Sequence, residues 1–204
     1  ADSFVLRNPP ERKARKRYRK LRLKGGIEME HQLHKIIGDC IKGTEFPDCK
    51  IITDPACGGQ HNVPLFCSDV KSNETEYCNV DLLVIKDNKI RVIIEIEETD
   101  VKPTQICGKF LTSALSSYYI HDSENTPIGM SDSVLFIQIL DTSQLKEKTS
   151  KIKQWKNLEK SIKNLLPFKK IKKYKLLHGN GSDFKNGKGN KCAELITYIK
   201  EALK

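Results

Sequence analysis

Apolar residues crowd two neighbouring runs of the chain, Val80-Asp81-Leu82-Leu83-Val84-Ile85 and Ile90-Arg91-Val92-Ile93-Ile94-Glu95-Ile96-Glu97. Such runs on either side of a short polar stretch predict two buried strands joined as a hairpin. Three carboxylates, Asp81, Glu95 and Glu97, break the apolar pattern. A carboxylate in an apolar strand costs several kcal/mol unless it is paired or binds a metal. Alternation puts Glu95 and Glu97 on one face and Ile94 and Ile96 on the other. Turn length decides whether Asp81 joins them. A two-residue turn at Asp87-Asn88 sets Asp81 opposite Ile94, whereas a three-residue loop, Asp87-Asn88-Lys89, sets it opposite Glu95. The even-numbered positions of both runs are uniformly apolar and the odd ones carry every acid, which favours the three-residue loop.

An amphipathic helix is predicted from about Ile27 to Lys42, with Ile27, Leu33, Ile36, Ile37 and Ile41 inward and Gly43 ending it. A short strand, Lys50 to Thr53, precedes a long irregular stretch from Asp54 to Asn79, punctuated by Pro55, Gly58-Gly59 and Pro64. Beyond the hairpin, Pro103 opens a helix reaching about Tyr119. Ser133 to Leu140 is almost wholly apolar and reads as a central strand. A helix from Leu145 to Leu166, a strand from Lys172 to Leu177, a Gly- and Lys-rich loop from Gly179 to Gly189 and a last helix from Cys192 to Leu203 complete the series. The order helix, strand, strand, strand, helix, strand places the chain in the α/β class, with α, β, α additions at the end.

The 204 residues suit a single domain, 27–204, with a core over 27–140, C-terminal elements over 141–204, and an arm or helix over 1–26. Net charge is +10, and the arm carries nearly all of the excess, with ten Lys/Arg between Arg7 and Lys24 against Glu11 alone. A second basic zone runs from Lys146 to Lys175. Basic surface so placed favours a polyanion, most plausibly nucleic acid, over a merely solubilising tail. Arg12, Arg15, Arg17, Arg19 and Arg22 are candidate phosphate or minor-groove contacts. In the loops, Gln60, His61, Asn62 and Lys185 are candidates for base edges. Nothing resembles a signal peptide, and no apolar run reaches membrane-spanning length, so no membrane partner is expected. Seven cysteines, an odd number, read as reduced thiols of a cytoplasmic protein. Cys57, His61, Cys67 and Cys78 lack the tight pair of common zinc modules, and buried structural thiols are the plainer reading.

The element order, with acids on the second and third strands, resembles the PD-(D/E)XK nuclease superfamily, which includes most type II restriction endonucleases. The resemblance covers roughly Ile27 to Leu140. Asp81 matches the first motif acid and Glu95-Ile96-Glu97 the second half-motif. Asn79-Val80-Asp81 departs from the pattern in lacking a proline before the aspartate, and Glu97 stands where lysine is usual. A Glu-x-Glu variant is known among restriction enzymes. The resemblance implies a restriction-endonuclease-like αβββαβ core, a mixed central sheet flanked by helices, and cleavage of double-stranded DNA at a short sequence. It also implies an additional metal-ligand acid from the first helix, where Glu30 lies. Lys109, or Lys102 just before its helix, is a candidate for the positive charge missing at position 97. Gln105 echoes, weakly, the glutamine motif of RecB-like nucleases.

The chemistry also follows from the residues. Phosphodiester cleavage needs an in-line water, charge neutralisation and a stabilised leaving oxygen, which one or two Mg²⁺ ions can supply. Asp81 and Glu95 would hold the first ion, and Glu97 would orient or deprotonate the water. No histidine spacing points to a nucleophile partnership. Cutting both strands of a symmetric site with one active site per chain implies a homodimer, with Leu145 to Leu166 a candidate surface. The alternatives are a structure-specific or repair nuclease of the same superfamily, and a non-catalytic nucleic-acid-binding protein whose acids are incidental.

Overall fold

The structure, a computed structural model, describes residues 32–99, 101–121, 123, 125–145, 148–185 and 191–204. The basic arm, Glu30 and the five arm arginines lie outside the described residues. Helix α1 (Gln32–Lys42) leads into β1 (Cys49–Thr53), β2 (Val63–Phe66), β3 (Glu76–Val80), β4 (Leu82–Lys86) and β5 (Lys89–Glu97). Then come α2 (Pro103–Leu115), β6 (Tyr118–Ile120), β7 (Pro127–Asp141), α3 (Lys148–Asn164), β8 (Ile171–Gly179), α4 (Gly181–Phe184) and α5 (Lys191–Ala202). Among the described residues no helix is long and apolar enough to cross a membrane.

The strands form one mixed sheet in the order β1-β4-β5-β7-β6-β2-β3, with β8 also on β7. Strands β1, β4 and β5 form an antiparallel meander, and β5 returns through α2 to the parallel neighbour β7. Strand β7 is long enough to serve two ladders. Its first residues pair with β6, and Val134 to Asp141 lie between β5 and β8. With neighbours on both edges, this stretch is apolar on both faces, as anticipated.

Two hydrophobic layers flank the sheet. On one side Leu33, Ile37 and Ile41 of α1 and Leu195 and Ile199 of α5 cover Leu82, Val84, Val92, Ile94 and Ile96. On the other, Ile106 and Phe110 of α2 and Trp155 and Ile162 of α3 cover Leu83, Ile93, Phe136 and Tyr174. The apolar stripe of α3 is thus spent on the sheet, and its exposed face is lysine-rich.

Three sequence expectations are corrected. The stretch from Asp54 to Asn79 is not irregular throughout. All four residues of Val63-Pro64-Leu65-Phe66 are buried in β2, and the proline that argued against a strand sits past the end of the β6 ladder, which pairs only Leu65 and Phe66. Helix α2 ends at Leu115 rather than near Tyr119, because Ser116 turns extended and its hydroxyl donates back to the Thr112 carbonyl at 2.9 Å. Third, the cysteines are not all reduced. Cys40 of α1 and Cys192 of α5 form a disulfide, their helices lying side by side with Cα atoms 6.4 Å apart. The bridge closes a loop of 152 residues, so reduction or Cys40→Ser is expected to lower stability by about 2–4 kcal/mol, read as a fall in the unfolding midpoint under a dithiol. An unchanged midpoint would show that the bridge carries no stability.

The hairpin turn is also shorter than anticipated. Asp87 and Asn88, at φ 52° and 54°, make a two-residue turn, with Lys86 paired to Lys89 and Ile85 to Ile90. The ladder then shifts by one, so that Val84 pairs with Val92 and Leu82 with Ile94. Arg91 is the extra residue of a β-bulge. One step beyond Leu82–Ile94, Asp81 stands across from Glu95. The turn is not the one expected, yet the bulge restores the register that places the acids together.

Candidate functional site

Strands β3 and β4 are one extended run broken only by Asp81, and the sheet forks there. Thr53 of β1 pairs with Leu82 beyond the break, while Val63 of β2 pairs with Val80 before it. The Asp54 amide donates to the Asp81 carbonyl at 2.9 Å. Side-chain oxygen Oδ2 of Asp81 accepts the Ile96 amide at 2.6 Å, so the carboxylate is fixed against β5.

Glu95 is fully buried on the α2 side of the sheet. Its Oε2 lies 2.8 Å from Nζ of Lys109, one turn and a half along α2, and the same ammonium stands 3.8 Å from Oε1 of Glu97. The remaining oxygen of Glu95, Oε1, and Oε1 of Glu97 are both buried without a hydrogen-bond partner. Such oxygens are costly to keep in a dry site. The structure therefore brings together Asp81, Glu95, Glu97 and Lys109 from three elements. Lys102 and Gln105 instead serve the helix: the Gln105 side chain accepts the Lys102 amide at 2.9 Å, capping the first turn of α2.

The charge states diverge. Burial pushes Glu95 well above the usual carboxylate range, against Lys109 and reinforced by Asp81. Burial also raises Glu97, again opposed by Lys109. For Asp81 burial pulls upward but is outweighed by His34, the Ile96 amide and Lys109, so its carboxyl sits below the ordinary value. One acid held ionised beside two held towards neutrality is a pattern of functional sites.

Sequence reasoning missed His34 and Glu98. His34 lies on the inward face of α1, with Nε2 3.6 Å from Asp81 Oδ1 and Nδ1 3.2 Å from Glu98 Oε1. Glu98 also accepts the backbone amides of Leu33 and His34, the latter at 3.0 Å. The available signal was His34 within the apolar stripe of Leu33, Ile37 and Ile41. Burial lowers the imidazole, but Asp81 and Glu98 overcome it and lift His34 to about 9. A base raised in the folded state contributes stability below its unfolded value of 6.5, lost as pH climbs towards 9. In EDTA the unfolding free energy is expected to fall by about 3 kcal/mol across that interval, and much less in His34→Gln. A pH-independent melt for the wild type would contradict this.

Gln138 is a third missed residue, the lone polar side chain in the apolar run of β7. It pairs with Glu95 across the parallel ladder and is itself satisfied, donating to the Ile106 carbonyl at 3.2 Å and accepting from the Tyr174 hydroxyl at 2.5 Å.

The remaining candidates separate. Gln60, His61 and Asn62 are exposed on the loop that starts at the fork. Lys185 ends α4 on the α1–α5 side and borders a cleft with Cys40, Asp39 and Cys192, in the layer opposite Lys109. The possible zinc ligands are not assembled: Cys57 is buried in the α1–α5 layer, Cys78 packs against the other, and His61 makes an edge contact with His121. Among the described residues no three His, Cys, Asp or Glu side chains are arranged to hold a metal ion by themselves. Mg²⁺ needs fewer, because one or two carboxylates and retained waters suffice. The two oxygens of Glu95 and Glu97 that make no hydrogen bond, beside an ionised Asp81, are a hard-oxygen donor set that fits such an ion. No family model, curated protein or solved structure matches the chain.

Proposed function

We propose that the chain is a Mg²⁺-dependent endonuclease acting on double-stranded DNA, in the manner of a type II restriction enzyme. The observation that carries this reading is the convergence of Asp81, Glu95, Glu97 and Lys109 at the fork, with one buried oxygen each on Glu95 and Glu97 that makes no hydrogen bond. The meander β1-β4-β5, the α2 crossover to parallel β7 and helix α1 before them support the restriction-endonuclease-like core. The insertion that carries β2 and β3 between the first two core strands favours a sequence-specific enzyme over a junction or repair nuclease.

Asp81 and Glu95 would hold the ion, and when bound it supplies neutralisation of the scissile phosphate's charge. Glu97, its carboxyl raised by burial, accepts the proton of the attacking water. Lys109 stays cationic between the two glutamates and offers its ammonium to the charge that develops on phosphate oxygen. His34 and Glu98 hold Asp81 towards β5. The described residues hold one such cluster, so cutting both strands calls for two copies related by a two-fold axis. The non-catalytic alternative goes with a two-residue turn at Asp87-Asn88, which is the turn found, and with Asp81 turned away from Glu95. The bulge at Arg91 gives the opposite register.

The test is incubation of unmethylated plasmid and phage DNA with the full chain and Mg²⁺, beside Glu95→Ala and an EDTA control. Discrete fragments that disappear in both controls are the expected result. Intact DNA across diverse sequences, with tight salt-sensitive binding, would return the chain to the binding-protein reading.

A further inference from the structure

The fork at Asp81 opens a cleft that the acids do not occupy. Its walls are Lys50 to Thr53 of β1, Gly59 to Asn62 of the following loop, and Tyr119 and His121 at the end of β6, around about 330 Å³ of accessible space. Continuing the β2–β3 register one step past Val63–Val80 sets Asn62 beside Asp81, just as Asp54 is held on the other side. The loop from Asp54 to Asn62 is thus bonded to Asp81 at its start and leads at its end into Val63, which pairs with Val80 next to Asp81. It is also held within: the Gly59 amide donates to the Asp54 carbonyl at 2.7 Å, and a β-carbon at Gly59 would come within 1.7 Å of the Thr53 carbonyl oxygen. The cleft lies at the edge of the sheet, with Ile52 and Tyr119 packing in the layer of Lys109's helix and Ile51 in the other. At its mouth, His61 and His121 meet edge to face at 5.3 Å, and Gln60, His61 and Asn62 are exposed.

We propose that this cleft is the sequence-reading subsite of the chain, taking the edge of a nucleobase of duplex DNA close to the scissile phosphate. The proposal rests on the DNA-nuclease reading above and adds its specificity determinants. Gln60 and Asn62 carry carboxamides, which offer a donor and an acceptor together and match the paired acceptor and donor on the edge of adenine. The His61–His121 pair adds ring nitrogens to the same wall, and Lys50 closes it with a cation suited to the neighbouring phosphate. The Asp54–Asp81 hydrogen bond and the Val63–Val80 pairing set this loop close to Asp81, so the base read and the bond cut keep one register.

The test uses the full chain in EDTA, with selection from a pool of random-sequence duplexes, comparing wild type with Gln60→Ala and Asn62→Ala. Both side chains are exposed, and unfolding midpoints equal to wild type confirm intact variants. Wild type is expected to enrich one short motif. In the variants discrimination at one or two adjacent positions of that motif should fall by about tenfold to a hundredfold, while affinity for unrelated DNA and its salt dependence persist. A motif identical in all three proteins, or none in wild type, overturns the inference. The nuclease reading is tested separately by cleavage with Mg²⁺. Discrete, Glu95-dependent cutting with the motif untouched in the variants leaves the enzyme and removes the subsite. A motif lost in the variants with no cutting leaves the subsite and removes the enzyme.

Discussion

Glu95→Gln is expected to abolish Mg²⁺-dependent cleavage and, in the same protein, to raise the unfolding midpoint. The two effects share one cause. Glu95 is fully buried with one oxygen on Lys109 and the other on nothing. An amide of the same shape removes the charge that burial disfavours, and Lys109, about a third exposed, is free to turn to water. The sign with pH follows from the direction of the shift. An acid raised in the folded state takes up its proton more readily there, so its ionisation costs stability as pH rises above the ordinary carboxylate value. The gain in Glu95→Gln should therefore be small near pH 5 and reach on the order of 1 kcal/mol near pH 8. Cleavage should fall by at least about a thousandfold, since a residue of a concerted site takes most of the rate with it. Equal or lower stability at pH 8 would mean that the fold, rather than a bound cation, is what Glu95 serves.

Lys109→Met should move stability the other way. Without the ammonium, Glu95 and Glu97 lose their cation and are forced towards protonation. The cost should be about 1–2 kcal/mol near pH 8, reduced from that of a fully buried pair because Lys109 is partly in water, and it should vanish in mild acid. In a Glu95→Gln background the same substitution should cost less, only the share due to Glu97, so a double-mutant cycle isolates the Glu95–Lys109 pair. Cleavage should drop by about a hundredfold to a thousandfold if the ammonium faces the developing charge. Rates within a factor of two of wild type would restrict Lys109 to holding the empty site together.

Much of this site was legible from sequence because buried strands leave few excuses for an acid. Asp81, Glu95 and Glu97 stand out against valine and isoleucine, and Lys109 follows from counting along the next helix. Other features lay beyond that logic for identifiable reasons. The bulge at Arg91 produces the same register as a longer loop, so periodicity near the acids could not distinguish them. His34 looked like one more residue on a helix, because its partners lie across the sheet at Asp81 and Glu98. Strand β2 was hidden by its own proline, and the Cys40–Cys192 pairing by a separation of 152 residues. Local rules recovered β1, β4, β5, β8 and α5 nearly to their ends, the close of α1 and the second half of β7. The pairing of β2 with both β3 and β6 is a long-range event that no window of residues contains.

The position of Asp81 at the fork also bears on how the molecule comes into being. Its contacts reach 15 residues forward to Ile96, and the His34 that faces it is joined across 64 residues to Glu98. Contacts so distant in sequence form slowly, after loop-closure entropy has been overcome. During synthesis the N-terminal helix and first strands emerge well before α2 delivers Lys109 and β7 covers the flank of β5. Until then the hairpin that carries the three acids lacks the ammonium of Lys109 and the cover of β7. The completed site, with Lys109 set against Glu95 and Glu97, belongs to the finished sheet alone.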